Sequence, residues 1–255
     1  MFKFDLRVWF LLVGFVSIVL LVGLFMPDEF DDVYRSGIRQ ILFLTLIIPL
    51  FSSQKMLIGL KPNSRVSNIR YIAPFFFFLL FYASVRSDYF NFGTWSVYYT
   101  LFVLLVCYAQ SLIEEIVFRG ILINHYLKRG LNVWRSVMYS SLLFGGLHLI
   151  ALVGKSDPVS VINQSLIAIM LGIFLSGVFL CTRNIYMTGL FHAFVNIPTY
   201  FKIDENTKIE TASAPLFESP FLDIIASSLI LILIYSPSLF AGFWLVSKVK
   251  DQSFD

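Results

Sequence analysis

The sequence predicts an all-α protein, a polytopic membrane helix bundle of about eight transmembrane helices, and three observations predict it. Of 255 residues, 58% are hydrophobic and only 14% charged, against about a quarter charged in a soluble domain. Apolar runs approaching the roughly 20 residues that cross about 30 Å of hydrocarbon recur along the chain. Lysine and arginine, finally, segregate between alternate connections in the way that sets membrane topology.

The runs lie near Val8–Met26, Ile38–Phe51, Tyr71–Val85, Trp95–Phe118, Trp134–Val153, Val161–Thr182, Ile185–Phe201 and Phe221–Ser247. The first follows Lys3 and Arg7, a plausible positive leader. It is nonetheless as long as a full span and ends without an A-x-A-like cleavage site, so it reads as a retained anchor. The second, third and seventh are short enough to suit a re-entrant or interfacial segment as well as a span. The last contains Ser236-Pro237-Ser238, where a kink is expected and tolerable inside a bundle.

With the N-terminus inside, the inner segments carry twelve Lys/Arg and the outer ones six, leaving Arg119 aside as part of a motif. The outer loops are acidic, with Asp28, Glu29, Asp31 and Asp32, then Asp204, Glu205, Glu210 and Glu218. An even number of spans with both termini cytoplasmic follows. No long linker or soluble segment interrupts the chain, and the stretch Lys202–Pro220 is too small for a core of its own. The expectation is one integral-membrane domain over 1–255, with a motif-bearing core at about 95–201.

Composition also removes whole function classes. A formal charge of +3 is far too small for a nucleic-acid binder, which needs a concentrated cationic face. Twenty-eight Phe, 12 Tyr and 4 Trp are incompatible with disorder. Cys107 and Cys181 each sit in an apolar run, which offers neither a disulfide framework nor a Cys-based zinc site. They read as small apolar fillers. Gly172, Ser176 and Gly177 read as a packing stripe. No convincing internal repeat supports a transporter built from duplicated halves.

Ionisable residues inside a span cost about 2.5–3.5 kcal/mol each on insertion scales and mark functional sites by default. They concentrate here in three places: Ser111-Leu-Ile-Glu114-Glu115-Ile-Val-Phe-Arg119-Gly120, Phe144-Gly-Gly-Leu-His148, and His192-Ala-Phe-Val-Asn196. Glu115 and Arg119 are four apart with the acid N-terminal, the favoured order for a helical ion pair. Glu114 points about 100° away, so the two carboxylates are not expected to present to one point. Glu114 is then left for proton transfer. His148 shares a face with Phe144, and His192 shares one with Asn196, which can orient the ring or hold a reaction oxygen. A single membrane histidine reads equally well as a helix–helix contact. Two histidines, a spare carboxylate and an asparagine point to a catalytic or metal site.

These motifs resemble the CAAX-protease and bacteriocin-processing membrane proteins, the CPBP or Abi family. That family carries a paired glutamate followed by arginine, a Phe-xxx-His and a His-xxx-Asn/Asp on separate membrane helices. Glu114-Glu115-xxx-Arg119, Phe144-xxx-His148 and His192-xxx-Asn196 reproduce all three in order, over about Trp95–Phe201. The resemblance implies an intramembrane endopeptidase in which Glu114 activates a water for attack on a peptide carbonyl. His148 and His192 would help hold that water or a metal, and Asn196 would stabilise the oxyanion. Glu115, Arg119 and Phe144 would be structural support. Glu114, His148 and His192 are candidate ligands for Zn²⁺ with an open water position, although the H-E-x-x-H pattern is absent and a metal-free glutamate–water mechanism is equally compatible. The implied setting is a bacterial cell membrane, with membrane lipid and a peptide or protein substrate as partners and no nucleic acid. A non-catalytic immunity or scaffold protein that binds a peptide or bacteriocin is the alternative, and a proton-coupled transporter is a third class.

Overall fold

A computed structural model describes residues 6–25, 32–51, 96–154, 157–200 and 219–249. Regular structure among the described residues is entirely helical: α1 (Leu6–Phe25), α2 (Asp32–Phe51), α3 (Val97–Glu115), a π-helical stretch (Ile116–Ile123), α4 (Asn124–Lys128), α5 (Val133–His148), a 3₁₀ extension (Leu149–Gly154), α6 (Pro158–Thr182), α7 (Ile185–Tyr200) and α8 (Pro220–Ser247). Four helical segments among them are long and apolar enough to cross a membrane: Val97–Lys128, Val133–Leu152, Pro158–Thr182 and Ile224–Ser247. Shorter apolar helices cover Phe10–Gly23 and Ile185–Ile197. This is a helical membrane protein. The expected span at Tyr71–Val85 lies outside the described residues.

The helices group into two compact units, one of Met1–Gly130 with Thr182–Lys202, the other of Leu131–Cys181 with Ile203–Asp255. In the first, α1 packs on α2 through Phe15 and Phe43, whose ring centroids are 4.2 Å apart. Phe15 also meets Phe118 edge-on at 6.3 Å, which brings the π-helical stretch against α1. Two boundaries differ from the hydropathy reading. Helix α2 begins at Asp32, earlier than the apolar run at Ile38, and so takes in the buried polar residue Ser36. The fourth run, expected to end at Phe118, continues as helix to Lys128.

That continuation changes pitch. Ser96 caps the start of α3 by accepting from the Tyr99 amide at 3.2 Å. After Glu115 the backbone widens into π geometry, and every residue from Ile116 to Ile123 is buried. Such wide turns are rare and recur at functional positions. Asn124 Nδ2 donates to the Gly120 carbonyl at 2.6 Å, a side chain supplying a bond at the i−4 spacing that the π ladder gives up. Gly130, at φ +81°, ends α4 in the left-handed conformation that costs glycine nothing.

In the second unit, Asn132 caps α5 by accepting from the Arg135 amide at 2.8 Å, and Asp157 caps α6 through the Ser160 amide at 2.8 Å. Small residues set the spacing between helices. A Cβ at Gly242 of α8 would lie 2.7 Å from the Phe174 nitrogen of α6, so only glycine allows this approach of backbones. Gly172 packs against Ser141 in the same way, and Ser165 Oγ donates to the Gly145 carbonyl at 2.8 Å. Asn163 of α6 joins α8 at two points, Ser227 at 3.0 Å and Ser228 at 2.9 Å. Pro237 does not interrupt α8. Its missing amide would have served the Leu233 carbonyl, and the Ser236 hydroxyl donates there instead at 2.8 Å, one of the substitutions that make proline tolerable in membrane helices.

Candidate active site

Helices α3 and α7 lie against each other in the first unit. A Cβ at Gly189 would meet Leu112 Cα at 3.1 Å, and Cys107 Sγ lies 3.5 Å from the Ala193 carbonyl. Asn184 starts α7 by accepting from the Met187 amide at 3.1 Å. Close contact of these two helices brings the glutamate pair of one beside the histidine of the other.

Arg119 Nη1 donates to Glu115 Oε1 at 2.8 Å, with both side chains fully buried. This is the pair expected from the i,i+4 spacing. The same carboxylate oxygen contacts His192 Nδ1 at 2.8 Å. A carboxylate paired with a permanently charged guanidinium only accepts, so Nδ1 carries the proton. On its other edge His192 Nε2 stands 3.7 Å from Glu114 Oε2. One imidazole therefore reaches both glutamates, each with a different nitrogen. The expectation that Glu114 and Glu115 do not present to one point overlooked a ring with two polar edges between two diverging side chains.

Glu114 is also held from its own helix, by Gln110 Nε2 donating to Oε1 at 3.2 Å. Beyond Gln110 stand Ser36, whose hydroxyl donates to the Gln110 oxygen, and Gln40. Asn196, one turn beyond His192, donates through Nδ2 to Ser111 Oγ at 3.3 Å. Sequence reasoning passed over Gln110, Ser36 and Gln40. Gln110 sits one helical turn before Glu114, a spacing visible in the sequence. Ser36 and Gln40 are far away in the chain and carry no such signal.

Glu114, Glu115, Arg119, His192 and Asn196 thus form one polar cluster in the first unit. Phe144 and His148 belong to α5 of the second. There His148 Nδ1 lies 3.0 Å from the Phe144 carbonyl, which can only accept, so this nitrogen also carries the proton and Nε2 has the lone pair. The Phe144 ring meets the imidazole edge-on with centroids 5.2 Å apart. Carbonyl and ring together fix the tilt and tautomer of His148.

Catalytic zinc takes three protein ligands and a water. Glu115 is committed to Arg119 and to His192 Nδ1, and no group of three His, Cys, Asp or Glu among the described residues is disposed to hold a metal ion. Within the first unit Glu114 and His192 supply two donors, one fewer than zinc takes.

Residues 95–198 match the model of the Rce1-like family, described as Type II CAAX prenyl endopeptidase Rce1-like. No curated protein matches the chain. The matched segment spans the glutamate pair, both histidine motifs and the π-helical stretch.

Proposed function

We propose, from the match of residues 95–198 to the Rce1-like family model, that the protein is a CAAX-type intramembrane endopeptidase that hydrolyses a peptide bond with a glutamate-activated water. The observation that carries the reading is the approach of the buried His192, through Nε2, to the partly buried Glu114 Oε2 at 3.7 Å. That gap is too long for a hydrogen bond, and a water seated beside it can contact both atoms.

In this reading Glu114 takes a proton from the water, and the oxygen attacks the substrate carbonyl carbon. The carbonyl π pair moves to oxygen. His192, its ring fixed through Nδ1 by Glu115, accepts the water's other hydrogen at Nε2, and Asn196 donates to the oxygen that gains charge, where preorganised donors contribute most. Glu114 then returns its proton to the leaving amine as the C–N bond breaks. Glu115 and Arg119 neutralise each other and hold the ring. His148 is assigned to the same reaction on its residue chemistry and its place in the Phe-xxx-His motif, with Phe144 fixing its tautomer. A prenylated Cys-aliphatic-aliphatic-X tail is the substrate class to try first, in a cell membrane with both termini cytoplasmic.

The test uses the full chain in lipid nanodiscs and a farnesylated C-terminal peptide, with products read by mass spectrometry. Glu114→Gln should lose about 10²–10⁴-fold in turnover while inserting and folding as the wild type does. Cleavage by Glu114→Gln at the wild-type rate overturns the assignment.

A further inference from the structure

We propose that Gln110, held by Ser36 and Gln40 of α2, is a positioning residue that sets the Glu114 carboxylate with one oxygen turned to His192. The inference rests on the peptidase reading and extends its machinery to a helix outside the matched residues 95–198.

The bonds have one direction. Gln40 Nε2 donates to the Val106 carbonyl at 2.9 Å and to Ser36 Oγ at 3.3 Å. The Ser36 hydroxyl donates to Gln110 Oε1, and Gln110 Nε2 donates to Glu114 Oε1 at 3.2 Å. A hydroxyl that donates to the amide oxygen fixes which end of the amide faces the carboxylate. Gln110 therefore presents N–H, and every proton in the chain points toward Glu114. Ser36 and Gln40 are buried, so water does not compete for these contacts as it would on a surface.

The arrangement leaves the two oxygens of Glu114 unlike. Oε1 is tied to Gln110, while Oε2 is the atom nearest His192 Nε2. A glutamate has three side-chain torsions to lose, and a misplacement of about 1 Å at a reacting group costs on the order of 10²-fold in rate. Pure interhelical glue between α2 and α3 would use the same residue types. It would give a stability loss shared by substrate binding and turnover. Positioning gives a loss in kcat alone.

The experiment compares Gln110→Met, Ser36→Ala and Ser36→Thr with the wild type in nanodiscs, using the farnesylated peptide. Methionine keeps the length and removes the donor. For Gln110→Met, kcat should fall about 10-fold or more, with KM within about 2-fold and the unfolding temperature nearly unchanged. Ser36→Ala should give a smaller kcat loss that Ser36→Thr restores. An unchanged kcat in Gln110→Met, or a kcat loss that only follows a falling unfolding temperature, overturns the inference while leaving Glu114 as the base. A second readout does not depend on cleavage: the infrared carboxylate stretch of Glu114 at one fixed pH, isolated by subtracting the Glu114→Gln spectrum. That band should shift in Gln110→Met. If Glu114→Gln cleaves normally, the peptidase reading falls, and a shifted band still upholds the positioning where an unshifted one ends it.

Discussion

The two units use buried polar side chains in opposite ways. In the unit of Met1–Gly130 and Thr182–Lys202, the interior holds a carboxylate, a guanidinium and an imidazole in contact, with amides leading to a second carboxylate. In the unit of Leu131–Cys181 and Ile203–Asp255, buried hydroxyls bond to backbone carbonyls, as Ser165 does to Gly145 and Ser176 to Gly172. The half-buried His148 is its counterpart to the first unit's charges. A buried hydroxyl on a carbonyl costs little and lets helices approach. A buried ion pair costs several kcal/mol in desolvation and is weak evidence for stability. The first unit is therefore built at a cost that packing alone does not explain.

Breaking one partner of that pair should have the largest effect. Arg119→Leu leaves Glu115 buried without its guanidinium, and the expected loss is about 3–5 kcal/mol, read as a lower thermal midpoint and poorer recovery of folded protein in detergent. A variant as stable as wild type would mean that water or a rearranged side chain compensates, and the contrast between the units would vanish. Next comes the second unit, where Gly242→Ala forces a Cβ onto the Phe174 backbone. The expected cost is about 1–3 kcal/mol, with any surviving folded protein keeping its KM. Loss of turnover beyond the loss of folded protein would show that the second unit's packing shapes the chemistry.

The smallest effect sharpens the comparison at a water-facing cap. The Ser160 amide holds the exposed Asp157 carboxyl below its ordinary value of 3.8. A depressed carboxylate contributes stability above its unfolded value and loses it as pH falls through the folded one. The difference in unfolding temperature between wild type and Asp157→Ala should therefore be constant near neutrality and shrink below about pH 4. A difference that grows on acidification would reverse the sign and rule out the charge on the cap.

Much of this was legible in residue order. Spacing alone placed Glu115 on Arg119, because i,i+4 neighbours on a helix meet whatever surrounds them. Hydropathy located the apolar helices, since length and composition suffice for a span. It misjudged the start of α2 and the end of the fourth run, because a window that penalises polar residues stops at Ser36, and at Arg119 and Asn124, all of which are buried. The shared imidazole between Glu114 and Glu115 depends on how α7 meets α3, and no local pattern encodes that. Gln110 lay between these cases: its turn-before-glutamate spacing was visible, but its role depends on a hydroxyl 74 positions away.

The wide turns between Ile116 and Ile123 leave one more trace. An α-helix advances about 100° per residue, and each π turn spends an additional residue on closing its ring. The Lys128 end of this helix, with its capping glycine, is thus rotated out of step with the end that carries the glutamates. Lining up relatives without a gap at this point would pair residues from different sides of the helix, and positions downstream would look variable although each keeps its own bearing.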